Sequence, residues 1–338
     1  MSEIVLVNSF FLCYRMIRSK VLSFDTHLSG WYNILIKYVL AESGEILMKH
    51  ILITGINSYL GKSFEKYIRQ FPEYTTVSIS MRDGSWRDYD FDGIDVIYHV
   101  AGLAHSDNGR ISSEKANLYY KINTDLTIEL AKKAKKEGVK QFIFMSSAIV
   151  YGDSNPIGKK RVIKKDTVCS PANCYGDSKL QAEIGLKKLE SDNFKVVILR
   201  PPMIYGYGCK GNYPLLSLFA KKLPIFPDIP NERSMLYVEN LMEFVRLMIK
   251  NEEHGTFFPQ NAEYSSTSKM VRMIAHANNR DILLTKAFNW AVKFLGFFTP
   301  LVDKAFGNFS YDMAMSEYKE NYRLYSLQES IERTEGIR

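Results

Sequence analysis

A tyrosine and a lysine stand four positions apart in the segment YGDSK, at Tyr175 and Lys179. On a helix this spacing places both side chains on one face. A lysine ammonium beside a phenol favours the phenolate and lowers the pKa of the tyrosine. The apolar run FIFMSS ends in Ser147, whose hydroxyl could orient an alcohol or relay its proton. Together these residues predict removal of a proton from an alcohol while a hydride leaves its carbon.

A glycine turn, TGINSYLG, lies between a predicted strand and a predicted helix. Such a turn lets backbone N–H groups and a helix N-terminus face a pyrophosphate. Ser58 replaces the middle glycine of the pattern, so its Cβ narrows the space for phosphate while its hydroxyl offers a hydrogen bond. An ordinary strand-to-helix turn is the alternative. The residues predicted to bind a dinucleotide here are Gly55, Asn57, Ser58, Tyr59, Leu60 and Gly61.

The residues after the next predicted strand bear on which dinucleotide binds. A carboxylate about 20 residues beyond the start of the glycine turn usually holds the ribose diol of NAD. Here that position is Ser80, and Arg82 follows it closely. The missing carboxylate and the nearby arginine favour a 2′-phosphate, and therefore NADP. The alternative is that Arg82 is a solvated loop residue, so NAD and NADP both stay open.

Predicted strands and helices alternate through the middle of the chain. Strands are expected at 50–54, 75–80, 95–101, 141–147 and 195–200, and helices at 60–71, 117–137 and 175–191. This alternation indicates an α/β fold with a doubly wound parallel sheet. After Pro202 the strands weaken, and helices are expected at 213–222, 238–251, 266–278, 287–306 and 327–334. We therefore expect a dinucleotide-binding domain at 48–205 and a smaller, α-rich substrate-binding part at 206–338.

The first 47 residues differ from the rest of the chain. Basic residues interrupt their apolar run at Arg15 and Arg18, so no membrane span is predicted there. Met48 opens the segment MKHILITG, which reads as a natural start, and Gly44-Glu45 could be encoded by a ribosome-binding sequence. We expect residues 1–47 to be an upstream in-frame extension that is not part of the fold.

A second apolar segment, FNWAVKFLGFFTPLV at 288–302, is also too short to span a bilayer, and Lys293 and Pro300 interrupt it. A core or lid helix is the preferred interpretation. Contact with a membrane surface is the alternative.

Composition and charge exclude several classes of protein. Hydrophobic residues make up 46% and charged residues 24%, which excludes a disordered, collagen-like or coiled-coil chain. The net charge of +7 lies wholly in residues 48–338, because residues 1–47 are neutral, and it favours an anionic ligand. The basic segments KKAKKEGVK and GKKRVIKKD lack interleaved aromatics, so nucleic acid is not an expected partner.

The cysteines and histidines indicate no special chemistry. Four cysteines are too few for a disulfide scaffold in 338 residues, which favours a reduced cytosol. No spacing of histidine, cysteine or acidic residues predicts a metal site.

The chain resembles the extended short-chain dehydrogenase/reductases of the nucleotide-sugar epimerase/dehydratase type. The resemblance covers 48–338 and is carried by TGINSYLG, HVAGLAH, YYKINTDLT, FMSSAIVYG, YGDSK, RPPMIYG, GCKGNY and NERSMLYVENL. It implies a Rossmann fold, NAD or NADP as cofactor, and a catalytic trio of Ser147, Tyr175 and Lys179. By the same resemblance Ala101, Gly102 and Asn123 line the cofactor, and Asn212 and Arg233 meet the nucleotide diphosphate.

The chain departs from the family pattern after Arg200. The asparagine that usually follows this arginine is replaced by Pro201, Pro202 and Met203, so Met203 becomes the expected substrate contact there. This segment resembles the branch that holds 4-keto-sugar reductases of surface-polysaccharide pathways. The departure leaves the direction of the reaction open.

The resemblance implies an oxidoreductase acting at C4 of a nucleoside-diphosphate sugar. A 4-epimerase of UDP-sugars that supplies surface polysaccharides is the first interpretation. An NADPH-dependent reductase of UDP-4-keto-6-deoxy-sugars is the second, and a non-catalytic dinucleotide sensor or scaffold is the third. We expect a cytoplasmic protein without an integral membrane segment, and a homodimer as a candidate assembly because related enzymes are often dimers.

Overall fold

A central parallel sheet organises the part of the chain that this computed structural model describes, residues 48–103, 112–296 and 298–337. The chain divides after Met48 into two units, and the sheet belongs to the second, Lys49–Arg338. The expected extension at 1–47, and His105 of the HVAGLAH segment, lie outside the described residues.

Twelve strands are present in the described residues. They are β1 (Lys49–Thr54), β2 (Tyr74–Ile79), β3 (Val96–His99), β4 (Gln141–Met145), β5 (Val162–Ile163), β6 (Lys195–Leu199), β7 (Met203–Tyr205), β8 (Ile225–Pro227), β9 (Met235–Tyr237), β10 (Gly255–Phe257), β11 (Leu283–Thr285) and β12 (Ser310–Tyr311). Six of them form one sheet in the order β2-β1-β3-β4-β6-β10, and every neighbouring pair is parallel. The predicted doubly wound α/β fold is confirmed.

Ten α-helices accompany these strands in the same residues. They are α1 (Tyr59–Ile68), α2 (Ser113–Tyr119), α3 (Leu126–Lys136), α4 (Cys174–Lys187), α5 (Tyr213–Lys222), α6 (Val238–Lys250), α7 (Thr267–Ala277), α8 (Asn289–Gly296), α9 (Pro300–Phe306) and α10 (Leu327–Thr334). Short 3₁₀ turns occur at Ser85–Arg87, Ala148–Tyr151 and Met313–Ser316.

Two predicted helices are not continuous. The helix expected at 117–137 contains a π-helical segment, Tyr120–Asp125, between α2 and α3. The helix expected at 287–306 is broken between α8 and α9, because Pro300 cannot donate a helical hydrogen bond and disfavours helical geometry at the residue before it. No helix among the described residues is long and apolar enough to cross a membrane.

The expected core role of residues 288–302 also needs correction. No residue of α8 is buried, and several of its large apolar side chains face solvent. Among the described side chains of 288–302, Val292 and Val302 pack against the core.

Alternation along the strands builds a core on each side of the sheet. In β1, Ile51 and Ile53 join the larger cluster while Leu52 joins the cluster on the opposite face. In β4, Ile143 and Phe144 divide in the same way. Successive strand side chains point to opposite faces, so these near-continuous apolar strands are buried between two helical layers.

The strand order changes direction between β1 and β3. The chain passes from β1 outward to β2 and then returns to place β3 on the other side of β1. In doubly wound sheets, ligands bind at the carboxyl ends of the strands at such a switch point. The segments that follow Thr54 and His99 therefore border the expected ligand crevice.

Short parallel pairs attach the C-terminal segments to this framework. Strand β7 pairs with β9, β8 pairs with β11, and β5 pairs with β12. Residues beyond 205 thus contribute β10 to the central sheet and also build the smaller pairs. The division of the chain at 205/206 stays a prediction.

Candidate active site

The glycine turn lies tightly against the loop that follows β3. Gly55 has a φ of +87°, and a Cβ placed on it would lie 3.2 Å from the Cα of Ala101. The N–H groups of Gly55 and Ile56 donate to the carbonyl of Ile79, which fixes the turn to the end of β2. Only glycine adopts this conformation and leaves this space without strain. The turn is therefore held open at the switch point.

Ser58 caps the helix that follows the turn. Its Oγ accepts a hydrogen bond from the N–H of Gly61 at 2.9 Å, which makes it the N-cap of α1. A serine here satisfies one of the unpaired donors of the first turn, and its own hydroxyl hydrogen stays available to an anion. A Cβ on Gly61 would lie 2.6 Å from that Oγ, so Gly61 is needed for the cap.

The other predicted turn residues divide between solvent and core. Asn57 is exposed at the turn. Tyr59 and Leu60 are partly buried and pack against the larger core cluster. The backbone of residues 55–61 therefore forms the predicted turn, and the side chains of Tyr59 and Leu60 point toward the core.

A buried histidine, which the sequence motifs did not single out, ties three elements together beneath the turn. His99 Nδ1 lies 2.7 Å from Thr54 Oγ1, and its Nε2 lies 2.9 Å from Thr127 Oγ1. Burial, aided by the charge of Lys179, lowers the pKa of His99 to about 3, so the imidazole is neutral. The Thr54 oxygen also accepts weakly from the N–H of Ala101, which leaves its own hydrogen for Nδ1. The histidine therefore links the ends of β1 and β3 to α3.

The loop after β3 approaches Asn123 and Lys179. Asn123 accepts from the N–H of Leu103 at 2.8 Å and donates to the Leu103 carbonyl and to Ser178 Oγ. Because its amide is fully used, Asn123 positions this loop and does not reach outward to a ligand. A Cβ on Gly102 would lie 2.9 Å from Asn123 Oδ1 and 3.3 Å from Lys179 Nζ, so no larger residue fits there.

The π-helical segment supplies Asn123 to this cluster. Widened turns of this kind are rare and are often found at functional sites. Thr124, in the same segment, donates to the carbonyl of Ser178 at 2.7 Å. The wider turn therefore lets neighbouring side chains reach the loop after β3 and helix α4 together.

Ser147, Tyr175 and Lys179 are brought together at the carboxyl end of β4. A hydrogen bond from the Ser147 hydroxyl works to lower the pKa of Tyr175, but burial raises it above its usual value. Ser147 also accepts from the N–H of Ile149 as the cap of a 3₁₀ turn, which orients its hydroxyl. Gly176 packs α4 against this turn, since a Cβ there would lie 2.9 Å from the Ile149 carbonyl oxygen.

Lys179 is buried in an environment that tolerates its charge. Its ammonium donates to the Met145 carbonyl at 3.0 Å and lies 4.7 Å from the centre of the Phe144 ring. Burial lowers the pKa of Lys179 to about 8, while the charge of Glu183 opposes that change. The ammonium form therefore prevails near neutral pH and is lost as the pH rises above that value.

Glu183 and Arg200 form a buried ion pair behind this cluster, which the sequence motifs did not predict. Glu183 pairs with the Arg200 guanidinium through contacts of 2.5 to 3.2 Å and accepts from Ser146 Oγ at 2.5 Å. Arg200 also donates to the Tyr151 hydroxyl at 2.7 Å. Two features of the sequence could have indicated this pair: Glu183 lies one helical turn after Lys179, and Arg200 directly follows an apolar strand.

The end of β2 carries Ser80 where the pattern places a carboxylate. The Oδ1 atom of the nearby Asp83 accepts from the N–H and hydroxyl of Ser85, and these hydrogen bonds lower the pKa of Asp83. Ser80 Oγ accepts from the N–H of Arg82 at 3.2 Å. Arg87 pairs with Glu129, whereas the exposed Arg82 forms no ion pair within the described chain.

Of the predicted substrate residues, Met203 begins β7, Arg233 precedes β9 and Asn212 precedes α5. Met203 is opposite Met235 in this pair, and Arg233 lies two residues before Met235. The Arg233 guanidinium donates to the carbonyls of Lys304 and Ala305, and no acidic side chain in the described residues pairs with it. Asn212 is exposed at the start of α5. An unneutralised arginine of this kind suits an anionic group.

These features fit a bound dinucleotide. The turn at 55–61 presents backbone N–H donors and a capped helix N-terminus. At Gly55 and Gly102 a Cβ would be too close to neighbouring atoms, so the backbone there carries no side chain. Lys179 Nζ lies close to Gly102 and donates to the Met145 carbonyl at the end of β4, the strand that Ser147 follows. The site can thus hold a dinucleotide beside a group that exchanges a proton with an alcohol or a carbonyl.

Comparison with known proteins gives a family match. A sequence model of the NAD dependent epimerase/dehydratase family matches residues 51–258, more than half of the chain.

Curated relatives and solved structures agree with that match. A UDP-glucose 4-epimerase of Vibrio cholerae is 29% identical over 312 residues, which cover 85% of this chain and 94% of the relative. An N-acetyl-alpha-D-glucosaminyl-diphospho-ditrans,octacis-undecaprenol 4-epimerase of Escherichia coli O157:H7 is 32% identical over 213 residues, 61% of this chain and 60% of the relative. The structure of a UDP-glucuronic acid 4-epimerase from Bacillus cereus in complex with NAD superposes with a TM-score of 0.64 at 17% identity, covering 85% of this chain and 98% of that one. At that identity the structural likeness concerns the fold.

The Glu183–Arg200 pair generates a stability prediction. Replacing Glu183 with alanine leaves the Arg200 guanidinium buried without its carboxylate. We expect E183A to lower the free energy of unfolding by about 3–5 kcal/mol, measured by urea denaturation. The double variant E183L/R200L removes both charges from a mostly apolar environment and should recover much of that loss.

Two results would contradict this account of the pair. One is a loss below about 1 kcal/mol in E183A, the size typical of an exposed ion pair. The other is a double variant no more stable than E183A.

Proposed function

The chain belongs to the NAD-dependent epimerase/dehydratase family, and from that premise we propose that it is a 4-epimerase of UDP-linked sugars. Family membership makes it an NAD(P)-dependent enzyme of the nucleotide-sugar epimerase, dehydratase and reductase group. The position C4, the reversal of configuration and the uridine nucleotide are the proposed parts.

The observation that carries the proposal is the hydrogen bond between Ser147 and Tyr175 at the carboxyl end of β4, with Lys179 on the same helix as Tyr175 and its ammonium close to Gly102. Ser147 would orient the C4 oxygen by hydrogen bonding, and Tyr175 would exchange a proton with that oxygen. Burial keeps Tyr175 protonated in the free chain, which suits it to give a proton to a carbonyl oxygen. Accepting a proton requires a nearby positive charge, and we assign that part to Lys179, one turn later on α4.

When bound, the nicotinamide supplies the hydride chemistry at C4. The residues of this chain hold the reacting oxygen and control its proton. Inversion at C4 also requires that the sugar can turn between two faces. The segment Pro201–Met203 carries no polar side chain at the place where the family pattern has an asparagine.

A diphosphate is the expected anchor of the substrate. Arg233 lies without an acidic partner in the described chain, and its planar guanidinium can fork onto phosphate oxygens. Asn212, at the exposed start of α5, is the second predicted contact. The relatives from Vibrio cholerae and Escherichia coli are both named as 4-epimerases of diphosphate-linked sugars, which supports this choice.

A second candidate is an NADPH-dependent 4-keto-sugar reductase, and Arg82 is the observation that favours it. Ser80 stands at the end of β2 where a carboxylate would hold a ribose diol, and the Oδ1 atom of the nearby Asp83 accepts from Ser85. The exposed Arg82 guanidinium would suit a 2′-phosphate. A reductase needs only the half of the cycle in which Tyr175 gives up its proton.

Other parts of the sequence-based interpretation stay predictions. These are the homodimer, the cytoplasmic location and the supply of sugars for surface polysaccharides.

Turnover of UDP-glucose tests the proposed activity. We expect the full chain to convert UDP-glucose to UDP-galactose, and Tyr175→Phe to lower kcat by about 100- to 10,000-fold, because the proton-transferring group is lost. Nicotinamide dinucleotide binding should persist in this variant. Sugar nucleotides separated by chromatography give the rate.

Tyr120→Phe is the matched control for that experiment. The Tyr120 hydroxyl donates to Asp177 of α4, the helix that carries Tyr175, but it is not part of the catalytic cluster. Its removal should therefore leave kcat near that of the wild type. Near-normal turnover in Tyr175→Phe would refute the proposed role of Tyr175.

Cofactor preference tests the second candidate. If Arg82 binds a 2′-phosphate, the chain should bind NADPH more tightly than NADH, and Arg82→Glu should lower that ratio by about 10- to 100-fold, as expected for a charge-assisted hydrogen bond. Fluorescence titration of each reduced cofactor gives the two dissociation constants.

Arg69→Glu provides the control, since Arg69 is an exposed arginine at the far end of α1 whose partner is Glu65. It should leave the preference unchanged. A wild-type preference for NADH, or an unchanged ratio in Arg82→Glu, would exclude the role proposed for Arg82.

A further inference from the structure

Helices α8 and α9 form an apolar hairpin, defined here as residues 288–296 and 298–306. It carries large side chains that the body of the molecule does not cover, namely Phe288, Trp290, Phe294, Leu295 and Phe298. Trp290 and Phe298 are each 72% exposed, and no residue of α8 is buried. Clustered exposure of this kind, unlike isolated apolar residues, marks an interaction surface.

The aromatic side chains of the hairpin share one region. Trp290 and Phe294 are four residues apart on α8, which places them on the same helix face. The rings of Phe294 and Phe298 meet edge to face with centroids 5.2 Å apart. The exposed rings therefore form a continuous ridge.

The charged residues within this ridge are lysines. Between Ile282 and Val302 they are Lys286 and Lys293, and both are exposed. Acidic residues border the segment at Asp281 and Asp303, and Asp228 adjoins the start of α8; the Asp303 carboxylate accepts a hydrogen bond from the backbone of Ile157 in the body of the protein. An aromatic ridge flanked by lysines complements a surface with apolar material beneath anionic groups.

A second copy of the chain fits this ridge less well. A twofold contact between two identical ridges would bring their lysines together and oppose like charges. Anionic phospholipid headgroups would pair with the same lysines, and aromatic rings favour the boundary between headgroups and acyl chains.

The hairpin is fixed firmly to the body of the protein. The Asn289 side chain donates to the Asp228 carbonyl at 2.8 Å, which anchors the start of α8. At the other end, the Arg233 guanidinium donates to the carbonyls of Lys304 and Ala305 in α9. A preformed ridge of this kind needs little reorganisation to bind.

We propose that the apolar hairpin docks onto the surface of a bilayer that contains anionic phospholipids. Trp290, Phe294 and Phe298 enter the headgroup boundary to a depth of about 5–10 Å, and Lys286 and Lys293 contact lipid phosphates. Because Arg233 is bonded to α9, the predicted diphosphate end of the substrate site lies next to the membrane surface. This inference goes beyond the proposed function, since vesicle binding is measured without substrate.

Vesicle flotation of the full chain tests the proposal. We expect it to float with vesicles of phosphatidylglycerol and phosphatidylethanolamine, and much less with vesicles of phosphatidylcholine alone. Replacing the three rings in W290S/F294S/F298S should lower partitioning by on the order of 100-fold, because most of the inserted apolar area is lost. K286E/K293E should abolish the preference for anionic vesicles.

The matched control, V168S/L324S, removes exposed apolar side chains that are not part of the hairpin. It should float like the wild type. Both multiple variants should retain wild-type circular dichroism and UDP-glucose turnover, which separates a docking defect from misfolding and from failure of the proposed function.

Tryptophan fluorescence gives an independent readout. Anionic vesicles should shift the wild-type emission to shorter wavelength, and W290F, which keeps an aromatic ring, should still float but lose most of that shift. The proposal is overturned if the wild type does not float, or if W290S/F294S/F298S floats equally well. It is also overturned if that variant only converts a dimer to a monomer, which would make the ridge an interface between copies.

Discussion

Burial of the Lys179 ammonium is the constraint on which the rest of the site depends. A desolvated cation is costly, and here its pKa falls to about 8 while it remains mainly protonated near neutral pH. The Met145 carbonyl and the face of the Phe144 ring offset part of that cost, and Glu183 adds an opposing charge. Gly102 lacks a side chain at a point where a Cβ would lie 2.9 Å from Asn123 Oδ1 and 3.3 Å from the ammonium.

The buried charge of Lys179 also affects residues on both sides of the site. Glu183 could not be buried alone, and Arg200 at the end of β6 compensates it. On the other side, His99 is kept neutral by burial and by the charge of Lys179, which lets it bridge threonines of β1 and α3. Strands β1, β3, β4 and β6 are neighbours in the sheet, so His99, Lys179 and Arg200 lie at one carboxyl edge. The strands that border the ligand crevice are thus also the strands that carry the compensated charges.

Local patterns predicted the parts that depend on neighbouring residues in the chain. The glycine turn at 55–61, its flanking strand and helix, and the spacing of Tyr175 and Lys179 each follow from a few consecutive positions. Contacts between distant segments could not be predicted in that way. The Glu183–Arg200 pair needs the register of α4 against β6, and the commitment of Asn123 to the loop after β3 depends on a π-helical turn that no propensity marks. Hydropathy alone likewise favoured the core for 288–302, because it cannot tell a buried helix from an exposed apolar ridge.

The central claim is that hydride leaves and returns at one sugar carbon while Tyr175 handles the proton on its oxygen. The most direct test is conversion of UDP-glucose by the purified chain in deuterium oxide, with the product examined by proton NMR. The account predicts UDP-galactose that keeps its original hydrogen at C4, because the returning hydride does not exchange with water. Solvent deuterium at C4 of the product would contradict it, since it would mean that a carbon-bound proton is removed.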